Sequence, residues 1–397
     1  MTGRTRVRLA LVISAAAALV LAATAAARVQ AASPIVIGWA HDSTGPMAPF
    51  DGPALAAAQL RVKQINAHGG VMGRQLEIKT CDTQGNKPDV SKACADKLIG
   101  EGANVIFTTC DVDLAAPAVE ESLAKGLLTI APCIGTDQMG PKRFGTKGKL
   151  AFSFGNVAQD EGSAMAQFAW SKGWRTADLA TDTVIVYFKN VVQAFAARWK
   201  QLGGKIVDQE TYQDPAFHGN NVQNAVSRIN TKSADVIVTS TAGAYGALAP
   251  LITGLRTLGN NTPILNSWAG DGTYWLPKSP KVTNYWFVTY ANVFGQDPSA
   301  ALNRLAKQIH AATGGFVTGP AAIDGLATAI RRAHGSLNGA TLAAVMEKFH
   351  KVPTLSGLVS FSPNLHSVYG RKYRVIEINN NTPREVTTVT AKVVPKI

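Results

Sequence analysis

Short, almost wholly apolar runs alternate with amphipathic stretches through most of this chain of 397 residues, and that alternation is the strongest constraint on its fold. Ile35 to Ala40 reads as a buried strand, and Leu55 to Asn66 as a helix stopped at Gly69-Gly70. Gln75 to Thr80, Val105 to Thr109 and Leu127 to Ala131 are further strands, separated by helices over Val90 to Ile99 and Ala115 to Lys125. A strand that is apolar on both faces must be covered on both, so this pattern predicts βαβ units and a parallel sheet. The rhythm restarts after Phe152. Helices over Gln159 to Ser171, Val191 to Leu202, Gly219 to Asn230 and Leu248 to Leu258 alternate with four strands. Those strands are Thr176 to Ala180, Lys205 to Tyr212, Val236 to Ser240 and Pro263 to Asn266. The expected fold is therefore α/β: two doubly wound parallel-sheet lobes with a ligand cleft between them. Helices then return over Ser299 to Ala312, Gly319 to Ala333 and Leu342 to Phe349. The tail, Arg371 to Val394, reads as β-rich with a turn at Asn380-Asn381.

The N-terminus bears on the compartment. Arg4, Arg6 and Arg8 precede an uncharged run from Leu9 to Ala27, and Val29 and Ala31 form a small-residue exit. These are the parts of a secretory signal peptide over residues 1–31, which predicts a soluble, exported, periplasmic protein. No cysteine stands near residue 31 to carry a lipid, and no second long apolar run follows. The formal charge of +13 falls to +9 once the four arginines of the leader are removed. The remaining Lys and Arg are scattered with no aromatic interleaving, so a solvated basic surface is expected and nucleic acid is not.

The four cysteines, Cys81, Cys94, Cys110 and Cys133, fit an oxidising compartment and predict two disulfides. Zinc would want closer pairs. Three pairings are open; the places of Cys110 and Cys133, just past neighbouring strands, favour joining them and leave Cys81 with Cys94.

Ligands on open α/β sheets sit at the carboxyl ends of strands. That rule selects His41 to Pro46, Cys110 to Asp113 and Cys133 to Thr136 in one half of the chain. In the other it selects Thr181 to Tyr187, Thr241 to Tyr245 and Ser267 to Asp271. These loops carry hydroxyls and free amides suited to a small polar head group. Of seven tryptophans only Trp268 falls on such a loop. Catalytic signatures are missing: the seven histidines show no H-x-x-x-H spacing, and there is no G-x-S-x-G, phosphate loop or dinucleotide fingerprint. The expectation is a binding protein with no cofactor, not an enzyme.

Ser43-Thr44-Gly45-Pro46, followed by AAAQLRVKQINAHGGVMGRQLEI, is an ordered set of strand, loop, helix and glycine turn. From about Ile35 to Arg371 the chain resembles the type I periplasmic binding proteins of the leucine/isoleucine/valine group. The resemblance implies an importer receptor that closes by hinge motion around a small amino-acid-like solute, zwitterion or neutral amide, and delivers it as a monomer to the membrane permease of an ABC importer. A sensor or amide/organic-acid receptor on the same fold is the alternative. It implies lobes of residues 32–154 plus 291–360 and 155–290 plus 361–397, with crossovers near Phe154, Tyr290 and Phe361. It also implies ligand-binding roles for Thr44, Phe50, Asp111, Ile134, Thr136, Tyr187, Tyr245 and Asp271, with Asp271 facing an ammonium group. A bridge of some relatives would instead join Cys81 to Cys110. The sequence departs from the family at Asp111 and Asp113, where a serine usually meets the ligand's carboxylate. Helix capping is expected of Asp113, and Asp111 is left open.

Overall fold

The computed structural model describes residues 33–213 and 221–397. The expected leader, 1–31, and the predicted helix start at Gly219 lie outside the described residues.

The first sheet is built from β1 (Ile35–His41), β2 (Leu76–Asp82), β3 (Val105–Phe107), β4 (Leu128–Ala131), β5 (Ala151–Asn156) and the two-residue β13 (Ser367–Val368). Its order is β13-β5-β4-β3-β1-β2, parallel throughout. The helices α1 (Ala48–Ala67), α2 (Pro88–Gly100) and α3 (Val112–Ala124) connect the first four strands. Two layers cover it: one core joins Ile37, Trp39, Phe107 and Phe152 to α1 and to Ile323 and Leu326, and another joins Val36 and Ile106 to α2.

The second sheet has the order β15-β14-β10-β9-β8-β6-β7. Its strands are β6 (Thr176–Asp182), β7 (Lys205–Tyr212), β8 (Val236–Ser240), β9 (Ile264–Asn266), β10 (Tyr285–Thr289), β14 (Tyr373–Asn379) and β15 (Thr382–Val389). Its inner strands are parallel, as expected, and the β-rich tail adds an antiparallel edge. β14 runs antiparallel to β10, and β15 antiparallel to β14. The short turn joining the last two strands, where Asn380 and Asn381 both take positive φ, 53° and 61°, accounts for the second of these pairings; a two-residue hairpin forces antiparallel strands. The helices α5 (Ala158–Ser171) and α6 (Val186–Gln201) pack together beside this sheet, while α7 (Val222–Ile229) and α8 (Leu248–Thr257) cover its other side. A one-turn α4 (Pro141–Phe144) precedes β5.

The chain passes between sheets after β5, again after β10, and finally between β13 and β14. The segment after β10 leads into α9 (Ala300–Gln308) and is held to the second sheet by Asp297, which accepts from Arg374 Nε and Nη2 at 2.9 and 3.0 Å. α10 (Thr318–Arg332), α11 (Gly339–Met346) and the hairpin β11 (Val352–Thr354) and β12 (Gly357–Val359) rejoin the first lobe. The boundary placed at residue 361 moves. β13 pairs with β5, so the chain stays with the first sheet through Val368 and crosses over residues 369–372. A two-residue strand has no periodicity to read.

Both disulfides lie in the first lobe. Cys81 joins Cys94 and Cys110 joins Cys133, with Cα atoms 5.5 and 4.7 Å apart. The first ties the end of β2 to α2; the second ties the loops that follow β3 and β4.

Candidate functional site

The carboxyl ends of the two sheets face each other, and the loops between them touch. On the first lobe a set of buried aspartates folds these loops. Asp42 accepts from the amides of Gly45 (2.8 Å), Met47 (3.0 Å) and Gly85 (3.1 Å). Asp51, in the first turn of α1, accepts from Asp42 N at 2.8 Å and Cys110 N at 2.9 Å, so one carboxylate joins the β1 and β3 loops. Gly45 is required by space: a Cβ there would stand 2.5 Å from both Asp42 Oδ2 and Gly85 Cα.

Asp111 occupies the N-cap of α3. Its backbone is extended, and Oδ1 accepts from Asp113 N at 2.9 Å and Leu114 N at 3.1 Å. Capping was expected of Asp113, but Asp113 already lies within the first turn, where its carboxylate cannot reach back to the cap. Instead Asp113 Oδ1 meets Arg143 at 2.5 Å, and Oδ2 accepts at 2.8 Å from the amide of Val186, the first residue of α6 in the other lobe. Burial, and next the Asp113 charge, push the Asp111 carboxyl up to about 7.

Between the lobes lies a pocket whose lining leaves a cavity of about 20 Å³, room for about one water. The first lobe contributes Met47, Phe50, Cys110 and Asp111. From the second come the rings of Tyr187, Phe188, Tyr245 and Trp268, with Ile185, Ala242 and Ala269 between them. Phe50 meets Trp268 edge-on, centroids 5.1 Å apart, and the Tyr245 hydroxyl reaches Met47 Sδ at 2.9 Å. Larger surface hollows, of about 500, 440, 420 and 280 Å³, lie on the outer side of α9, between α1 and α9, at the third crossover and beside the end of α3. Residues from five of the loops that follow the strands converge on the small pocket, so it is the candidate site.

Of the expected site residues, Phe50, Asp111, Tyr187 and Tyr245 line this pocket. The others are not among its lining. Thr44 is exposed, with its amide on Asp42 at 3.3 Å. Ile134 is buried in the first lobe with Val112 and Met139. Thr136 lies across from α6, its hydroxyl 3.3 Å from Asn190 Oδ1. Asp271 is buried behind the wall, accepting from Thr289 Oγ1 and Gly314 N, each at 2.5 Å, and from Gly272 N at 2.6 Å. Burial pushes its carboxyl up to about 7, against those bonds.

Glu161 went unread in the sequence. It sits in the first turn of α5, fully buried, and accepts from Tyr187 Oη at 2.9 Å and Trp268 N at 2.6 Å. It thus fixes two rings of the pocket. Burial pushes its carboxyl up to about 8, outweighing both bonds. The ring of Tyr187 in turn lies over the β4 loop. A Cβ on Gly135 would come within 2.6 Å of it, so only glycine allows that contact.

Asp51, Cys110 and Cys133 bring donor atoms within 4.8 Å of one another, the spacing of a metal site. Their chemistry is already committed, however: the two sulfurs are bonded to each other and the carboxylate accepts two amides.

A family model described as periplasmic binding protein matches residues 34–383. The Leu/Ile/Val-binding protein BraC3 of Rhizobium johnstonii is 23% identical over 335 residues, 82% of this chain and 87% of the relative. Among solved structures, the branched-chain amino acid transporter substrate binding protein LivJ of Streptococcus pneumoniae, in complex with isoleucine, aligns with a TM-score of 0.74. Identity is 19%, over 91% of this chain and 100% of that one. A solute binding protein of an ABC transporter from Rhodopseudomonas palustris, in complex with 3,4-dihydroxy benzoic acid, gives 0.73 at 17% identity, over 91% and 99%. At these identities the structural likeness carries the fold alone.

Proposed function

The chain belongs to the periplasmic binding protein family, and from that premise we propose that it is the exported receptor of an ABC importer, binding a small amino-acid-like solute and delivering it to the permease without chemistry. The observation that carries this reading is the pocket itself: ring side chains and one carboxylate from two lobes, gathered at the ends of two sheets. Phe50, Asp111, Tyr187 and Tyr245 contact the solute. Asp271 and Thr136 hold the walls, and Ile134 packs beneath the first of them. The lobes part, admit the solute and close on it by bending at the three crossovers. A solute that binds the closed form better shifts the population toward it, and the permease reads that shift.

Export is supported by the charged-apolar-small pattern of the first 31 residues and by two disulfides in the first lobe. Among the described residues no helix is long and apolar enough to cross a membrane. The test is a thermal-shift panel of amino acids, amines, amides and aromatic acids, followed by solute uptake in cells with and without the receptor. A saturable shift with one class, and uptake that depends on the receptor, is expected. A shift without any dependence of uptake would make the protein a sensor on the same fold.

A further inference from the structure

The chemistry of the pocket is one-sided. Among the described residues that line it, Asp111 is the single charged side chain, and no Lys, Arg or His joins it. Phe50, Tyr187, Phe188, Tyr245 and Trp268 supply the rest of the wall that matters here. Phe188 lies 5.9 Å from both Tyr187 and Tyr245, and Phe50 5.1 Å from Trp268, centroid to centroid.

Most of the donors that would receive a solute carboxylate are taken, and the Trp268 indole N–H, which has no partner, is a neutral one. Asp111 itself occupies the amides at the start of α3, Asp51 holds the Cys110 amide, and Glu161 holds the Trp268 amide. The Tyr187 ring covers Gly135 and with it the β4 loop. Arg143, on the first lobe near the cleft, is paired with Asp113. A carboxylate brought in here would lose its water, find no cation and stand beside another carboxylate. An ammonium group would find a counter-ion and the negative faces of several rings.

We propose that the solute recognised by this cleft carries a cationic amine and no free carboxylate, with Asp111 as its counter-ion and the rings as walls around its apolar body. The proposal rests on the reading of the cleft as a solute receptor. Four solutes with one apolar body separate the heads: leucine, 3-methylbutylamine, 4-methylpentanoate and 4-methylpentanamide. Phenylalanine, phenethylamine and 3-phenylpropanoate repeat the set with a ring. Titration calorimetry on the protein with its cysteines oxidised should show the amine tightest in each set and the carboxylate weakest. Asp111→Asn, which keeps a good N-cap, should weaken amine binding about 10- to 100-fold, as loss of a charged hydrogen bond does, and weaken the neutral amide by much less. Asp111→Ser, also a capping residue, repeats the measurement if the first variant melts early. Tighter binding of the amino acid or the carboxylate would overturn the head-group assignment and leave the receptor standing. Amine binding indifferent to both substitutions would do the same. Silence of all seven solutes overturns both.

Discussion

The two walls of the cleft are made by different means. On the first lobe, carboxylates and a disulfide fix main chain: Asp42 and Asp51 fold the β1 and β3 loops, Asp111 caps α3, and Cys110–Cys133 joins two loops outright. On the second lobe the wall is a set of rings, two of them anchored by one buried carboxyl, Glu161. A wall of fixed main chain sets distances, whereas a wall of rings sets shape. Loss of parts from the first should therefore appear in stability, and loss from the second in affinity.

The two disulfides give the largest contrast. Each closes a loop, of sequence separation 23 for Cys110–Cys133 and 13 for Cys81–Cys94. Replacing either pair by alanine should lower unfolding free energy by about 3 kcal/mol in urea titration. Only the Cys110–Cys133 replacement should also weaken solute binding, because Cys110 lines the pocket. Equal affinities in the two variants would break the comparison. Next comes Asp51→Asn, which sets an NH2 group against one of two buried amides. It should lower the urea midpoint by an amount corresponding to about 2 kcal/mol.

On the other wall, Tyr245→Ala should cost about 1–3 kcal/mol in binding, seen by calorimetry. Its effect on the melting point of the solute-free protein should be the smaller one, since the ring faces the cleft. A large drop in melting with intact binding would place Tyr245 with the frame instead. Smallest is the change that Glu161→Gln makes at low pH. The Glu161 carboxyl titrates at about 8 when folded, against 4.5 as the ordinary value. The folded state thus holds more protons between those values, and stability falls as pH rises through that window. Glu161→Gln should make that fall shallower while changing stability by less than about 1 kcal/mol near pH 4, where the carboxyl is protonated in the folded state and largely so in the unfolded one.

The alternation of strands and helices, the loops at the strand ends and the favoured cysteine pairing were legible because each depends on local pattern. Phe50, Tyr187, Tyr245 and Trp268 were legible as aromatics on or beside those loops. Glu161 was not. A glutamate in the first turn of a helix reads as a favourable exposed charge, and only the crossing of the chain from β5 into α5 carries it under Tyr187 and Trp268. Asp271 was misread in the opposite sense. It lies on a cleft loop in the sequence, yet the approach of Gly314 from the second crossover closes it off. Both residues owe their surroundings to segments far away in the chain, which no local pattern reports.

The bond from Asp113 to the Val186 amide has a consequence for the empty protein. The first peptide group of α6 finds this acceptor across the gap only while the halves touch. When they separate, water takes the place of each partner at nearly equal enthalpy. The bond thus guides how the halves meet and adds little to hold them together. What attraction the bare halves have comes instead from apolar contacts such as Phe50 on Trp268 and Tyr187 on Gly135.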